Sequence, residues 1–439
     1  MMEWYYAFGL MIGAILVMMA LGMPVAVAFF AVNIAGCYLF MGGMIGIDQF
    51  ISNATASVTS FALVPIPLFV IMGELFFHTG LAIRIFDALD KCLGSVRGRL
   101  SYLTVAGGTL FATLSGSSMA NTAMLGTSLA PEMTQRGYKP HMIMGPILAT
   151  GGLAMIIPPS TLAVLLGSLA RIDVGALLIA GLVPGVILAG MYVVLIRTQI
   201  ALDPEATPSY VPEKVSRGEM VRALLVEVAP MGLVIFCVIG LILLGWATPT
   251  ESAAFGALSV VALAALYGRL SWRAIVMSLR GAVVVSGMMF MIILGSTTFS
   301  QLLAFSGASS GLIGWATGFT VSPYVMLLAM VLVLIVLGMF MDQLSIMMLT
   351  LPIFMPLIGT MGFDPIWFGV VMLLALELSL ATPPFGMLLF VMLGVSPPGT
   401  TITQVARAAL PFIGCTLLLI VLLTIFPGLA LWLPGMIEG

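Results

Sequence analysis

At the centre of the stretch TLSGSSMANTA, Thr113 to Ala123, five side chains able to offer an oxygen to a cation cluster: Ser115, Ser117, Ser118, Asn121 and Thr122. Apolar residues flank them on both sides. Neutral hydroxyl and amide oxygens suit Na+ better than a transition metal. Small polar residues also let helices approach closely, which is the plainer use of any single serine here. A second stretch, LGMFMDQLSIMMLTLPIFMP, Leu337 to Pro356, holds Asp342 with Gln343 and Ser345 as neighbouring oxygen donors. An unpaired acid in an apolar run is costly and therefore a functional candidate. Its alternative role is to cap the helix that follows. Glu377, six residues before Pro383, reads either as a buried acid bonding a neighbouring helix or as a group that couples ions or protons. Glu74 and His78 share a helix face at i, i+4 but lack a third ligand nearby in sequence, which argues against a metal site. Glu132, Arg136, Lys139 and His141 read as solvated interfacial charges.

Two more stretches must position these groups: IIPPSTLAVLLGSLA, Ile156 to Ala170, and LATPPFGMLLFVMLG, Leu380 to Gly394. Each places prolines inside an apolar run, where they remove backbone donors that lipid cannot replace. That the runs lie in lipid follows from composition: 439 residues, 61% hydrophobic and only 7% charged, with mean hydropathy +1.22. Such a chain is an all-α polytopic membrane protein. No segment resembles a soluble domain of useful size, and a nucleic-acid partner is excluded on the same ground. Cys37, Cys92, Cys237 and Cys415 are far apart and read as buried free thiols. The amino-terminal run lacks a basic leader and a small-residue cleavage site, so it reads as a retained first helix.

Apolar runs predict helices near residues 4–20, 22–41, 64–84, 174–197, 223–246, 250–268, 280–304 and 408–434. Sliding one half over the other by 225 residues superposes Pro24 on Pro249, Pro131 on Pro356, Gly137 on Gly362, Pro140 on Pro365, Pro158 on Pro383 and Pro159 on Pro384. The chain is therefore expected to be a duplication, with repeats at 1–197 and 223–439 joined by a cytoplasmic linker at 198–222. Placing the basic loops inside leaves only Arg171 of the fifteen Lys and Arg outside, with both termini outside. Threading under that constraint makes 101–135 and 323–358 re-entrant hairpins entering from opposite faces. Broken helices follow at 142–170 and 366–395. These are inverted-topology repeats, the arrangement that builds a substrate and ion site at the membrane midplane. Broken ends free carbonyls for cations, and helix N-termini attract anions.

The motifs LSGSSMANTA, IIPPSTLAVLLG, LGMFMDQLSIMMLTLPIFMP and ELSLATPPFGMLLFV, in this order over essentially the whole chain, resemble the large membrane subunit, M, of the tripartite ATP-independent periplasmic (TRAP) transporters. The resemblance implies uptake of an organic acid across the bacterial or archaeal inner membrane, driven by sodium, with two or more ions. It implies a periplasmic substrate-binding (P) protein and a small membrane (Q) subunit, the latter expected as a separate polypeptide. It also implies an elevator-type transporter, in which a transport domain carrying both hairpins moves against a scaffold domain. Carried over by position, one sodium site takes Ser115, Gly116, Ser117 and Asn121 with the break at Pro158, Pro159 and Ser160. The other takes Asp342 and Ser345 with the break from Thr382 and Pro383 to Gly386. Ser117, Ser118, Asn121, Ser160, Gln343 and Gly386 are then the candidates for substrate, and Glu377 for coupling.

The alternative within transport is a stand-alone carrier of dicarboxylates or related anions that needs no binding protein. An intramembrane enzyme is disfavoured because HExxH and GxSxG are absent and His78 and His141 lie on separate segments. A channel would need a continuous polar path, whereas the polar residues gather at two points. No P-loop occurs, so ATP is not the direct energy source. No intramembrane Arg or Lys is available to pair a carboxylate, which leaves the choice among sialic acids, C4-dicarboxylates, sugar acids and keto acids open.

Overall fold

The computed structural model describes residues 3–94, 96–208, 216–318 and 322–436, and these fold into helices with no strand among them. Seven helices are long and apolar enough to cross a membrane, or eight when the bent pair Pro140–Ile156 and Thr161–Ala170 counts as one span. Apolar side chains such as Leu10, Ile34, Val194, Val283, Leu332 and Val421 are exposed on the outside, as a protein solvated by lipid requires.

Helix boundaries recur at the offset read from the prolines. Ser118–Gln135 maps onto Gln343–Thr360 and Pro140–Ile156 onto Pro365–Ala381, residue for residue. The peptide bonds Pro158–Pro159 and Pro383–Pro384, equivalent by the same offset, are both cis. Each second hairpin arm also ends alike. Gly137 and Gly362 take φ of +83° and +74°, while the amides of Tyr138 and Phe363 donate back to Met133 O and Ile358 O. Only glycine enters that left-handed position without steric cost.

The repeats diverge elsewhere. The first half carries Met44–Val58 and Pro65–His78 as two helices, whereas their equivalents in the second half lie in one long helix, Trp272–Phe305. Pro65 and Pro67 lack backbone donors; the equivalent residues are Phe290 and Ile292, so the long helix runs on. Met44–Val58 was not expected, because its sequence DQFISNATASV is polar. Its Asn53 faces the long helix and donates to Gln301 Oε1 at 2.7 Å. The run 64–84 ends at His78, and Gly80 at φ +70° starts a separate amphipathic helix, Leu81–Leu93. The run 408–434 is likewise two helices, Ile402–Ile425 and Gly428–Gly435. Between the halves, helix Val174–Leu202 extends past residue 197, a single 3-10 turn follows at Pro204–Ala206, and the next α-helix begins at Arg217, so the linker is shorter than expected; residues 209–215 of it lie outside the described residues. Of the cysteines, only Cys37 is buried, and the other three are part-exposed on helix surfaces.

Two groups of helices pack internally and meet along a sparser face. One contains both hairpins, both broken helices, Val174–Leu202 and Ile402–Ile425; the other contains Val25–Phe40, Met44–Val58, Pro65–His78, Pro249–Leu266 and the long helix. Within the first group the halves exchange elements: Met387–Val395 packs on arm Ser118–Gln135, and Thr161–Ala170 packs on arm Gln343–Thr360. At one end of the molecule the basic loops meet. Arg84 pairs with Glu227 at 2.6 Å, Arg99 with Asp90, Lys139 with Asp203 at 2.6 Å, and Arg97 donates to Pro204 O. The Lys139 ammonium, by its hydrogen bond, holds the Asp203 carboxyl below the usual carboxylate range.

Candidate functional site

The first hairpin turns at Gly116, which has φ +60°, and Ser117 then caps the second arm, its Oγ accepting from Ala120 N at 3.3 Å. Asp342, the equivalent residue, caps the second hairpin: Oδ2 accepts from the amides of Leu344 at 3.0 Å and Ser345 at 3.2 Å. Its Oδ1 accepts from Ser345 Oγ. The capping role foreseen for Asp342 is thus real. A carboxylate has about four acceptor positions, so three such bonds leave room for a further partner.

Each tip lies against its own broken helix. A side-chain carbon added at Gly116 would stand 3.2 Å from Thr161 Oγ1 and 3.3 Å from Pro159 O, so the tip touches the Pro158–Ser160 break. Ser160 is fully buried and caps Thr161–Ala170 through Ala163 N at 3.2 Å. In the second half the rings of Phe340 and Phe385 lie 5.7 Å apart, joining the tip to the break at Thr382–Gly386. There Thr382 Oγ1 donates to Leu378 O at 2.6 Å, and Gly386 N donates to Thr382 O at 3.1 Å.

The two tips converge on one cavity of about 640 Å³ between the helix groups. Ser115, Gly116, Ser117 and Ser118 line it from the first hairpin, Asp342 and Gln343 from the second. Asn121, Ser160, Ser345, Thr382, Pro158, Pro159, Pro383 and Gly386 stand outside its lining, among the tips and breaks that support it. The tips also reach across. Ser118 Oγ donates to Glu377 Oε2 at 3.3 Å on the second broken helix, and Gln343 Nε2 lies 3.0 Å from Met155 Sδ on the first. Ser118 and Gln343 are equivalent residues, so this is a reciprocal clasp. Glu377 is 5% exposed and stands outside the cavity's lining, bonded to Ser118, which is part of it.

Three oxygens of the first hairpin, Ser115 Oγ, Asn121 Oδ1 and Thr122 Oγ1, are buried without a hydrogen-bond partner among the described residues. A native interior leaves few polar atoms in that condition, and a bound cation is one thing that satisfies such oxygens. Asn121 spends its amide nitrogen on Thr150 O at 2.7 Å, which holds that oxygen in place.

Sequence reasoning set Glu74 and His78 apart from the site, but both line the cavity, with His78 Nε2 3.2 Å from Glu74 Oε2. Their common helix face was legible; the hairpins that face them come from distant sequence and were not. Met288, Met289 and Ile292 of the long helix complete the apolar wall.

This arrangement is the fold of a helical membrane transporter. It is shared with the YdaH transporter of Alcanivorax borkumensis, at a TM-score of 0.62 and 14% identity over 88% of each chain. MtrF of Neisseria gonorrhoeae aligns at 0.56 and 13% identity, over 88% of this chain and 84% of that one. Residues 12–429 match the family described as tripartite ATP-independent periplasmic transporter, DctM component, and the chain belongs to that family. It is 34% identical over 382 residues to the C4-dicarboxylate TRAP transporter large permease protein DctM of Pseudomonas aeruginosa, covering 85% of this chain and 86% of that protein. It is 28% identical to the sialic acid TRAP transporter large permease protein SiaM of Vibrio cholerae, over 95% and 96% of the two chains. The ectoine TRAP transporter large permease protein TeaC of Halomonas elongata is 26% identical over 97% and 98%. The chain is therefore a multi-span permease subunit of a bacterial TRAP transporter, and not an enzyme.

Proposed function

We propose that this chain imports a small organic carboxylate across the inner membrane by coupling it to inward sodium flow, taking the substrate from an extracytoplasmic binding protein and working with a small membrane subunit. The observation that carries the reading is the convergence of both hairpin tips, one neutral and one acidic, on a single cavity. The family's tripartite name and the relatives named for C4-dicarboxylates, sialic acid and ectoine support the class of cargo and the need for partners.

In this reading a first sodium ion is held by the Ser115–Ser117 tip, with Asn121 and Thr122 behind it and the Pro158–Ser160 break beside it. The unpartnered buried oxygens there fit a hard cation that takes neutral oxygen ligands. A second ion is held by Asp342 and Ser345 beside the Thr382–Gly386 break. Ser117, Ser118 and Gln343 face the cavity and hold the substrate's polar groups, while the helix N-termini behind Ser117 and Asp342 favour its negative charge. The cavity's wall on the long helix spans Val285 to Ile292, toward the end that carries Arg280 and that the charge pattern assigns to the cytoplasm, and in this reading the site faces inward. Movement of the hairpin-bearing group along its sparser face with the other group returns the site outward, and both termini lie outside.

The test is uptake by the chain with its small subunit and binding protein in liposomes. Accumulation should require an inward sodium gradient. Accumulation that persists in choline buffer and follows a proton gradient would remove sodium from the mechanism and move coupling to Glu377.

A further inference from the structure

A second cavity, of about 730 Å³, lies beyond the wall that closes the hairpin cavity. Three segments line both. On the long helix, Val285 to Ile292 face the hairpin cavity and Ile293 to Ala304 face the second. On the first broken helix, Thr161 and Leu162 face one, Gly167 to Leu169 the other. Leu63 faces the second cavity, while Val70 to His78, farther along the same stretch, face the hairpin cavity. The two spaces therefore follow each other along the same helices.

Their chemistry differs. The hairpin cavity is lined by Glu74, Asp342 and His78 and by no Arg or Lys among the described residues. The second cavity is lined by Arg171 and, among the described residues, by no acid. Amides and hydroxyls surround it: Asn53 Nδ2 donates to Gln301 Oε1 at 2.7 Å, and Ser57 Oγ lies 3.1 Å from Thr297 Oγ1. Arg171 is exposed, and its guanidinium makes no ion pair or hydrogen bond within the described residues. It is also the one non-glycine residue with positive φ, +57°, among the described residues. Glycine is the usual occupant of that position after a helix. The equivalent Ser396 has φ −79°, so the feature is not a relic of the duplication. A cation at a helix C-terminus also complements the helix dipole. That accounts for a positive charge at Arg171, but not for an acid-free, amide-lined cavity around it.

We infer that this second cavity is a receiving site for the substrate's carboxylate, in which Arg171 binds the anion before it passes to the hairpin tips. A guanidinium offers two parallel N–H donors to a carboxylate, a recognition that the hairpin cavity cannot supply. The direction of passage rests on the uptake reading above; the anion site itself does not.

The test uses the full chain with its four cysteines replaced and Ser300→Cys added on the cavity wall opposite the broken helix. Labelling rates with a sulfonate-bearing and a trimethylammonium-bearing methanethiosulfonate are compared. Arg171→Gly deletes the charge and suits the positive φ, so folding is retained; Arg171→Lys keeps the charge. The anionic reagent should react faster with the parent and with Arg171→Lys, and its advantage should fall about tenfold in Arg171→Gly. Succinate, the probe carboxylate, should slow labelling of the parent and not of Arg171→Gly, whereas sulfate at equal ionic strength should do much less. An unchanged reagent ratio in Arg171→Gly, or succinate protection that survives loss of the guanidinium, would overturn the assignment. Protection by an empty binding protein without protection by succinate would make this a protein-docking face and would also overturn it. Labelling needs neither sodium nor transport, so this outcome and that of the uptake experiment are read separately.

Discussion

Glu377 packs onto Gly152, the residue 225 positions before it, so the two halves touch at equivalent sites. A side-chain carbon at Gly152 would lie 2.6 Å from Glu377 Cδ. The axis relating the repeats therefore passes between these two residues, where the broken helices cross. Gly151 beside it makes room for the first hairpin, since a carbon there would stand 3.2 Å from Ser118 O. The glycine pair in one half thus receives a hairpin and an acid, and the equivalent Leu376 and Glu377 supply bulk in the other.

Gly152→Ala should force Glu377 out of place. Overpacking of a filled interior costs about 1–3 kcal/mol, which will appear as a lower melting temperature of the purified protein in detergent. Shortening the partner in Gly152→Ala/Glu377→Asp should recover most of the loss. Equal melting of Gly152→Ala and the parent would mean that the two helices do not cross here.

Glu377 stands outside the cavity's lining and bonds Ser118, so its charge is not a direct ligand in the sodium reading. Glu377→Gln keeps the volume and an acceptor for Ser118 Oγ, and uptake should retain a sodium half-saturation within about twofold of the parent. Glu377→Leu removes the acceptor of Ser118 Oγ, a hydrogen bond whose loss should cost about 0.5–1.5 kcal/mol in stability because Ser118 also lines the cavity. Abolished uptake in a well-folded Glu377→Gln protein would instead assign it to coupling.

Inverted repeats make a topological prediction. Gly137 and Gly362 are unsuitable for cysteine labelling because their positive φ would strain any side chain. Gln135 and Thr360 are equivalent, exposed and two residues before them. Gln135→Cys should react with a membrane-impermeant thiol reagent from the cytoplasmic side and Thr360→Cys from the other. Reaction of both from one side would refute the inversion.

What the sequence displayed was whatever local chemistry dictates. Prolines, turn glycines and capping residues act within a few positions of themselves, so the breaks at Pro158 and Pro383 and the turns that close the hairpins were legible, as was the 225-residue offset. Met44–Val58 escaped because hydropathy alone reads its polar residues as loop, although two of them, Asn53 and Ser57, bond to the long helix. Glu74 and His78 escaped because a cavity is formed by what stands opposite. The Ser118–Glu377 bond joins residues 259 apart, a distance over which no periodicity carries information.

In the sodium reading the acidic hairpin tip binds a coupling ion as well as capping its helix. Asp342→Asn separates the two. Asn caps almost as well as Asp, so stability should fall by about 1 kcal/mol or less. Loss of the charge from a partly desolvated ion site forfeits about 2–4 kcal/mol, or about 30- to 1000-fold in sodium affinity. Ser117→Ala at the equivalent tip removes one neutral oxygen and should cost about 1–2 kcal/mol. The deciding measurement is the sodium dependence of uptake by parent, Asp342→Asn and Ser117→Ala proteins in liposomes. Assembly should be normal, with a large rise in sodium half-saturation for Asp342→Asn and a smaller one for Ser117→Ala. An Asp342→Asn protein with the parent's half-saturation and rate would contradict that reading and leave Asp342 as a cap alone.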